Sequence, residues 1–426
     1  MPTAVPNSTL FAQSSSDDDA LFKKARAIHN EVITLDTHID FSPTDLVGER
    51  NYTQRIETQF NLPAMIDGGL DGLFFSIFVG QTREGQNPNA FKTEGYERAY
   101  TLALEKFNAV HRFTHEIAPD KIELALNSAD VCRINAQGKK VALMGVENGY
   151  PLGEDIARVE EFYVRGARYL SLTHNGHNQL ADSHTGARDG WKWNGLSPLG
   201  KQVIAEMNRL GIMVDVSHAS KEAMMQTAAL SKAPIIGSHS AVRALCNVSR
   251  NMDDEQLLAL KKTGGVIQVV AYDAFVKPTK PDSSDRTAAL TALKKDYNLP
   301  EATGPGQRAR FQAALKELSP DQRARYEEKL AEIDEQHPGD PPANLRDFVD
   351  HIDYAVKLMG IDHVGISSDF DGGGGIVGWN DASETFNVTL ELVRRGYTEE
   401  QIAKLWGGNL LRVMDEVQRI ARELPK

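Results

Sequence analysis

The chain has 426 residues, 41% of them apolar and 25% charged, an ordinary globular composition long enough for one large domain or two smaller ones. Its net charge of −12 argues against a nucleic-acid or anionic-membrane surface. No stretch approaches the ~18 uninterrupted apolar residues that a membrane-spanning helix needs.

Residues 1–20 are polar and end in an acidic run, and they read as a disordered tail. No intact signal peptide is present; "STLFAQSSS" reads as the remnant of a cleaved one, so an exported mature protein is favoured over a cytoplasmic one. From residue 21 onwards, short runs rich in Val, Ile, Leu and Phe alternate with helical patterns. Eight runs are predicted strands: 32–40, 72–79, 141–148, 167–174, 212–218, 233–240, 265–272 and 363–370. Helices are expected between them at 96–117, 197–211, 220–231 and 254–264. Ser197-Pro198, Ser220 and Asp253 mark helix starts, and Gly211 and Gly264 mark ends. Near-continuous apolar strands separated by helices indicate a parallel sheet covered on both faces. Eight such units fit a (β/α)8 TIM-type barrel over residues 21–426 better than an open doubly wound sheet. Residues 276–345 do not fit the alternation. They read as a helical insertion after the seventh strand, with helices near 286–297 and 307–336 and a restart at Ser319-Pro320. A lid and a plain surface elaboration are equally consistent with it.

Polar residues fall at the C-terminal ends of the predicted strands: His38 and Asp40, Glu147, His174, His218, His239, then Asp369 and Asp371. Barrel active sites are built on that rim. Each residue alone has an ordinary structural explanation, but four imidazoles and several carboxylates converging on one rim need partners, and divalent metal is the natural one. The period of two along a strand puts His38 and Asp40 on one face, so both reach the same ion. His218 and His239 would take a second ion, with Glu147 bridging. Nitrogen and oxygen donors without thiolate suit zinc; iron, cobalt and manganese stay open. Two ions about 3.5–4 Å apart form a hydrolytic device, and Asp369 is placed to move the proton. Asp36 shares the face of His38 and Asp40 and is expected to orient a ligand imidazole.

The motifs "DTHID", "GVENG", "RYLSLTHN", "VDVSHAS", "PIIGSHSAVRAL", "SRNMDD", "DHIDYAVKLMGIDHVGISSDFDG" and "GGNLLRV", in that order, resemble the membrane (renal) dipeptidases of the amidohydrolase superfamily. The resemblance runs from about residue 25 to the end, apart from the insertion. It implies an amidohydrolase barrel with two Zn2+ per chain on His38, Asp40, Glu147, His218 and His239, and Asp369 as the proton shuttle. It also implies His174 as the residue stabilising the tetrahedral intermediate and Arg250 as the clamp on the dipeptide carboxylate, with Arg243 a competitor for that role. A dipeptide substrate, including L,D-dipeptides, and a homodimer follow from the same resemblance. Another amide or lactone hydrolase, or a tailoring enzyme of peptide metabolism, is the alternative; a dead scaffold is disfavoured because none of the metal and proton-transfer residues is missing.

Other polar residues carry weaker signals. Trp191 and Trp193 line either the pocket or the surface. His177, His184 and His337 read as solvated, His351 as structural, and His111 and His115 lack the carboxylates of a metal site. Cys132 and Cys246 stand far apart and outside any C-x-x-C, so they read as two buried free thiols rather than a disulfide or zinc site.

Overall fold

A computed structural model of the chain describes residues 16–81, 87–278, 280–300, 311, 314, 315 and 317–424. Nine strands are present among them: β1 (Leu35–Ile39), β2 (Gly72–Phe78), β3 (Ile122–Leu124), β4 (Lys140–Glu147), β5 (Ala167–Ser171), β6 (Met213–Asp215), β7 (Ile235–Ser240), β8 (Val266–Val270) and β9 (Val364–Ser367). All pair in parallel in the order β1-β2-β4-β5-β6-β7-β8-β9, with β3 attached outside to β4. The barrel closes between the last strand and the first. Ile39 bridges Phe370, the Asp40 N–H donates to the Phe370 carbonyl at 2.8 Å, and the Asp369 N–H donates to the His38 carbonyl at 3.1 Å. Three of the expected site residues therefore sit on the closing seam.

The strands form because their Val, Ile, Leu and Phe side chains are buried on both faces. The helices bury one stripe each. In Pro198–Leu210 the Ser197 hydroxyl caps the Gly200 N–H, Gly211 ends the helix at φ 86°, and Val203, Ile204 and Met207 face inward. Burying each of those three contributes about 1.5–3 kcal/mol.

The strands stop two or three residues short of several expected ends. β6 ends at Asp215, and His218 sits at φ 65°; β9 ends at Ser367, and Asp369 sits at φ 60°. Left-handed backbone cannot continue a strand, so these residues lie on turns above the rim. β3 was not anticipated, because three residues are too few to show a periodic pattern.

Residues to Lys277 and from Ala343 form one compact unit and Pro278–Pro342 a second, close to the expected insertion. The second unit contains helices Ser284–Asp296 and Pro320–Gln336, the latter opened by a Ser319–Gln322 capping box, around Leu293, Leu299 and Tyr326. Positions 307–310, 312, 313 and 316 of the expected second helix lie outside the described residues. So do positions 1–15 of the expected tail, whereas 16–20 are helical, within Ser16–Glu31. Both cysteines are free; Cys246 is buried, but Cys132 is exposed, because Val131 and Ile134 take the inner face of its helix.

Candidate active site

Glu147, the last residue of β4 and 2% exposed, is the centre of the site. Its Oε2 lies 3.3 Å from His38 Nε2; its Oε1 lies 3.2 Å from His218 Nε2, 3.4 Å from His239 Nε2 and 3.7 Å from His174 Nε2. Ser76 on β2 donates to Oε2 at 3.1 Å. Asp40 Oδ2 and Asp369 Oδ1 each stand 3.9 Å from His38 Nε2. The sets His38/Asp40/Glu147, His38/His239/Asp369 and Glu147/His174/His218 each gather three ligand atoms within 4.8 Å. Gly372 makes part of this possible, since a Cβ there would run into both the Asp40 and Asp369 carboxylates.

The imidazoles are oriented from behind. His38 Nδ1 meets the Tyr169 hydroxyl at 2.8 Å, which in turn donates to the Thr37 carbonyl at 3.3 Å. The hydroxyl hydrogen is thus used, so His38 Nδ1 carries its own hydrogen and Nε2 is the nitrogen turned to the carboxylates. That nitrogen is buried with no hydrogen-bond partner. His218 Nε2 and His239 Nε2 face each other at 2.9 Å, beside the same carboxylate oxygen. Converging imidazole nitrogens and carboxylates fit a divalent cation and leave the ligand atoms poorly satisfied otherwise. Gly145 supports the arrangement, since any side chain there would occupy the space of the Tyr169 ring.

Electrostatics follow the same geometry. Burial works against the charged form of His38, but Glu147, Asp40 and Asp369 outweigh it and raise it to about 9. Burial likewise penalises Glu147, yet His38, His174, His218 and His239 hold it well below the usual carboxylate range. Burial pushes Asp369 up to about 8, helped by Asp40 and Glu147 and opposed by His38 and Arg250.

All five expected ligands, with His174 and Asp369, are brought together. His174 is the most open of them, its ring 4.5 Å from Phe78 and 4.2 Å from His218. Arg250 is 4% exposed. It donates to the Ser240 hydroxyl at 2.8 Å and to the His239 carbonyl, and its Nε–H has no partner. Arg243 turns instead to Ser249 and Asp253. Asp36 does not orient an imidazole. Its Oδ1 accepts the His38 and Ser368 N–H groups, a backbone role, and Tyr169 supports the ring. His184 is half-buried and anchored rather than freely solvated. It is held between Asn175 Oδ1 at 2.8 Å and the Ser249 hydroxyl at 3.0 Å, and the same Asn175 oxygen lies 3.3 Å from His218 Nδ1. His177 is also tied down, to the Ser183 N–H and the Gly190 carbonyl. His351 is structural as expected, bridging the Val242 N–H and the Val276 carbonyl. Trp191 and Trp193 are 56% and 36% exposed. The supporting residues Ser76 and Tyr169 were not anticipated. The available signal was their polarity inside otherwise apolar strands.

The family profile for membrane dipeptidase (peptidase family M19) matches residues 22–426. The chain belongs to that family. This membrane dipeptidase homologue is similar to the probable dipeptidase PvdM from Pseudomonas aeruginosa, whose crystal structure is 35% identical, with a TM-score of 0.76 and coverage of 94% of this chain and 99% of that one. It is 29% identical over 382 residues to the dipeptidase aclJ of Aspergillus oryzae, covering 88% of this chain and 74% of the relative. Its fold is shared with a metallo peptidase from Rhodobacter sphaeroides liganded with a phosphinate mimic of L-Ala-D-Ala, at 21% identity, a TM-score of 0.66 and coverage of 91% and 99%. The M19 chain described here is a metal-dependent dipeptidase, a hydrolase of peptide bonds. No helix among its described residues is long and apolar enough to cross a membrane.

Proposed function

We propose that the chain cleaves dipeptides with two zinc ions, one on His38 and Asp40, the other on His218 and His239, with Glu147 shared between them. The observation that carries this reading is the division of Glu147, with Oε2 turned to His38 and Oε1 to His218 and His239. A carboxylate split in this way suits a bridge. These residues would hold the pair, which when bound would supply an activated water and polarise the scissile carbonyl.

The remaining roles belong to the chain. Asp369, whose Oδ1 stands 3.9 Å from His38 Nε2, is placed to take a proton from the attacking water and hand it to the leaving amine nitrogen. His174, kept neutral by burial, stands beside Glu147 and donates to the oxygen that gains charge as the carbonyl carbon becomes tetrahedral. Arg250 is the cation for the free carboxylate of the substrate, with an N–H to spare.

The test is metal content by plasma emission spectrometry together with hydrolysis of an L,L and L,D dipeptide panel. Two zinc ions per chain, cleavage of at least one dipeptide and its loss in Asp369→Asn are expected. Fewer than one metal per chain, with no activity after zinc is restored, would overturn the binuclear reading. Two metals with no dipeptide cleaved would move the substrate to another amide.

A further inference from the structure

Beneath the site lies a buried polar cluster to which none of the roles above extends. Asp215, at the end of β6 and fully buried, accepts four hydrogen bonds. The N–H groups of Ser217 and Ser238 reach Oδ1 at 3.0 and 2.8 Å. The hydroxyls of Ser171 and Ser238 reach Oδ2, the latter at 2.7 Å. Ser238 Oγ also lies 2.8 Å from His239 Nδ1. A hydroxyl has one hydrogen. Given to Asp215, it leaves Ser238 with a lone pair facing His239, so Nδ1 must be the protonated nitrogen and Nε2 the bare one. The three imidazoles read as metal ligands are therefore backed unequally: His38 by a phenol, His218 by an amide oxygen, and His239 through a hydroxyl by a carboxylate.

We infer that Ser238 and Asp215 are positioning residues for metal binding: the serine relays the Asp215 carboxylate to His239, fixing its tautomer and strengthening it as a zinc ligand. The inference rests on the zinc reading above. It also makes a distinction that general packing does not. Ser171 and Ser238 both donate to the same Asp215 oxygen, but of the two only Ser238 bonds to an imidazole. If Asp215 merely holds the barrel together, losing either hydroxyl is equivalent. If the relay acts on zinc, only one loss matters.

The experiment is a chelator-competition titration of the zinc-loaded full chain, giving both zinc dissociation constants for wild type, Ser238→Ala, Ser238→Thr and Ser171→Ala. Ser238→Ala is expected to weaken one zinc by roughly 10–100-fold and leave the other near its wild-type value. Ser238→Thr, which keeps the hydroxyl, is expected to stay within about threefold of wild type, as is Ser171→Ala. Unchanged constants in Ser238→Ala would overturn the relay. So would an equal loss in Ser171→Ala, which would mark Asp215 as a packing hub. A wild-type chain that takes up no zinc would overturn the metal reading itself, and the relay with it.

Discussion

Gly372→Ala probes how closely the two carboxylates of the closing seam must approach. A Cβ at Gly372 would lie 2.5 Å from Asp369 Oδ1 and closer still to Asp40 Oδ2, whereas ordinary contact begins at 3.4 Å. The Asp369 carboxylate must withdraw by about 0.9 Å, which is 3.4 less 2.5, and that of Asp40 by slightly more. The backbone cannot follow easily, because the Asp40 and Asp369 N–H groups are bonded across the seam to Phe370 and His38. A displacement near 1 Å at reacting groups costs on the order of 100-fold in rate, or about 2.7 kcal/mol of transition-state stabilisation. The assay is kcat/KM for a cleaved dipeptide, measured by amine release, with circular dichroism to confirm the fold. Activity within about threefold of wild type would refute the requirement for this approach.

Other perturbations test separate parts of the argument. Tyr169→Phe leaves the His38 Nδ1–H and the Thr37 carbonyl without their buried partner, which should destabilise the zinc-free chain by about 1–3 kcal/mol in urea unfolding. A change under about 0.5 kcal/mol would mean that the ring, not the hydroxyl, matters there. Glu147→Gln should weaken both zinc ions together by more than about tenfold in chelator competition, since both imidazole groups face this one carboxylate; loss of a single ion would argue against a shared ligand. His29 is buried between Thr389 Oγ1 at 2.7 Å and the Gly68 carbonyl at 2.8 Å, and burial lowers its pKa from 6.5. The unfolded chain therefore binds the proton more readily, so this contribution is intact above 6.5 and declines as the pH falls through 6.5 towards the folded value. Urea midpoints at about pH 7 and about pH 5 should differ more for wild type than for His29→Gln, and equal differences would dismiss the effect.

The sequence by itself determined the architecture and the identity of the principal polar residues. Val, Ile, Leu and Phe runs broken by capped helices specify a parallel sheet covered on both faces, because only that arrangement buries such strands. His38, Asp40, Glu147, His218, His239 and Asp369 were visible because charged or imidazole side chains at the ends of apolar strands are costly unless they meet a partner. Their alternation along the strand also places His38 and Asp40 on one face. What tertiary structure alone decided is how each group is held. Asp36 has the parity of a support for an imidazole, yet its carboxylate goes to backbone N–H groups and Tyr169 takes that place from β5, 131 positions from His38 in sequence. His184 has a solvated-looking context but closes on Asn175 and Ser249. Cys132 differs from a buried thiol only in the helix face it occupies. Hydrogen-bond partners across a barrel depend on register and on turns at positive φ such as those at His218 and Asp369. Local pattern carries the period of a strand, and the closed sheet decides which residue stands opposite.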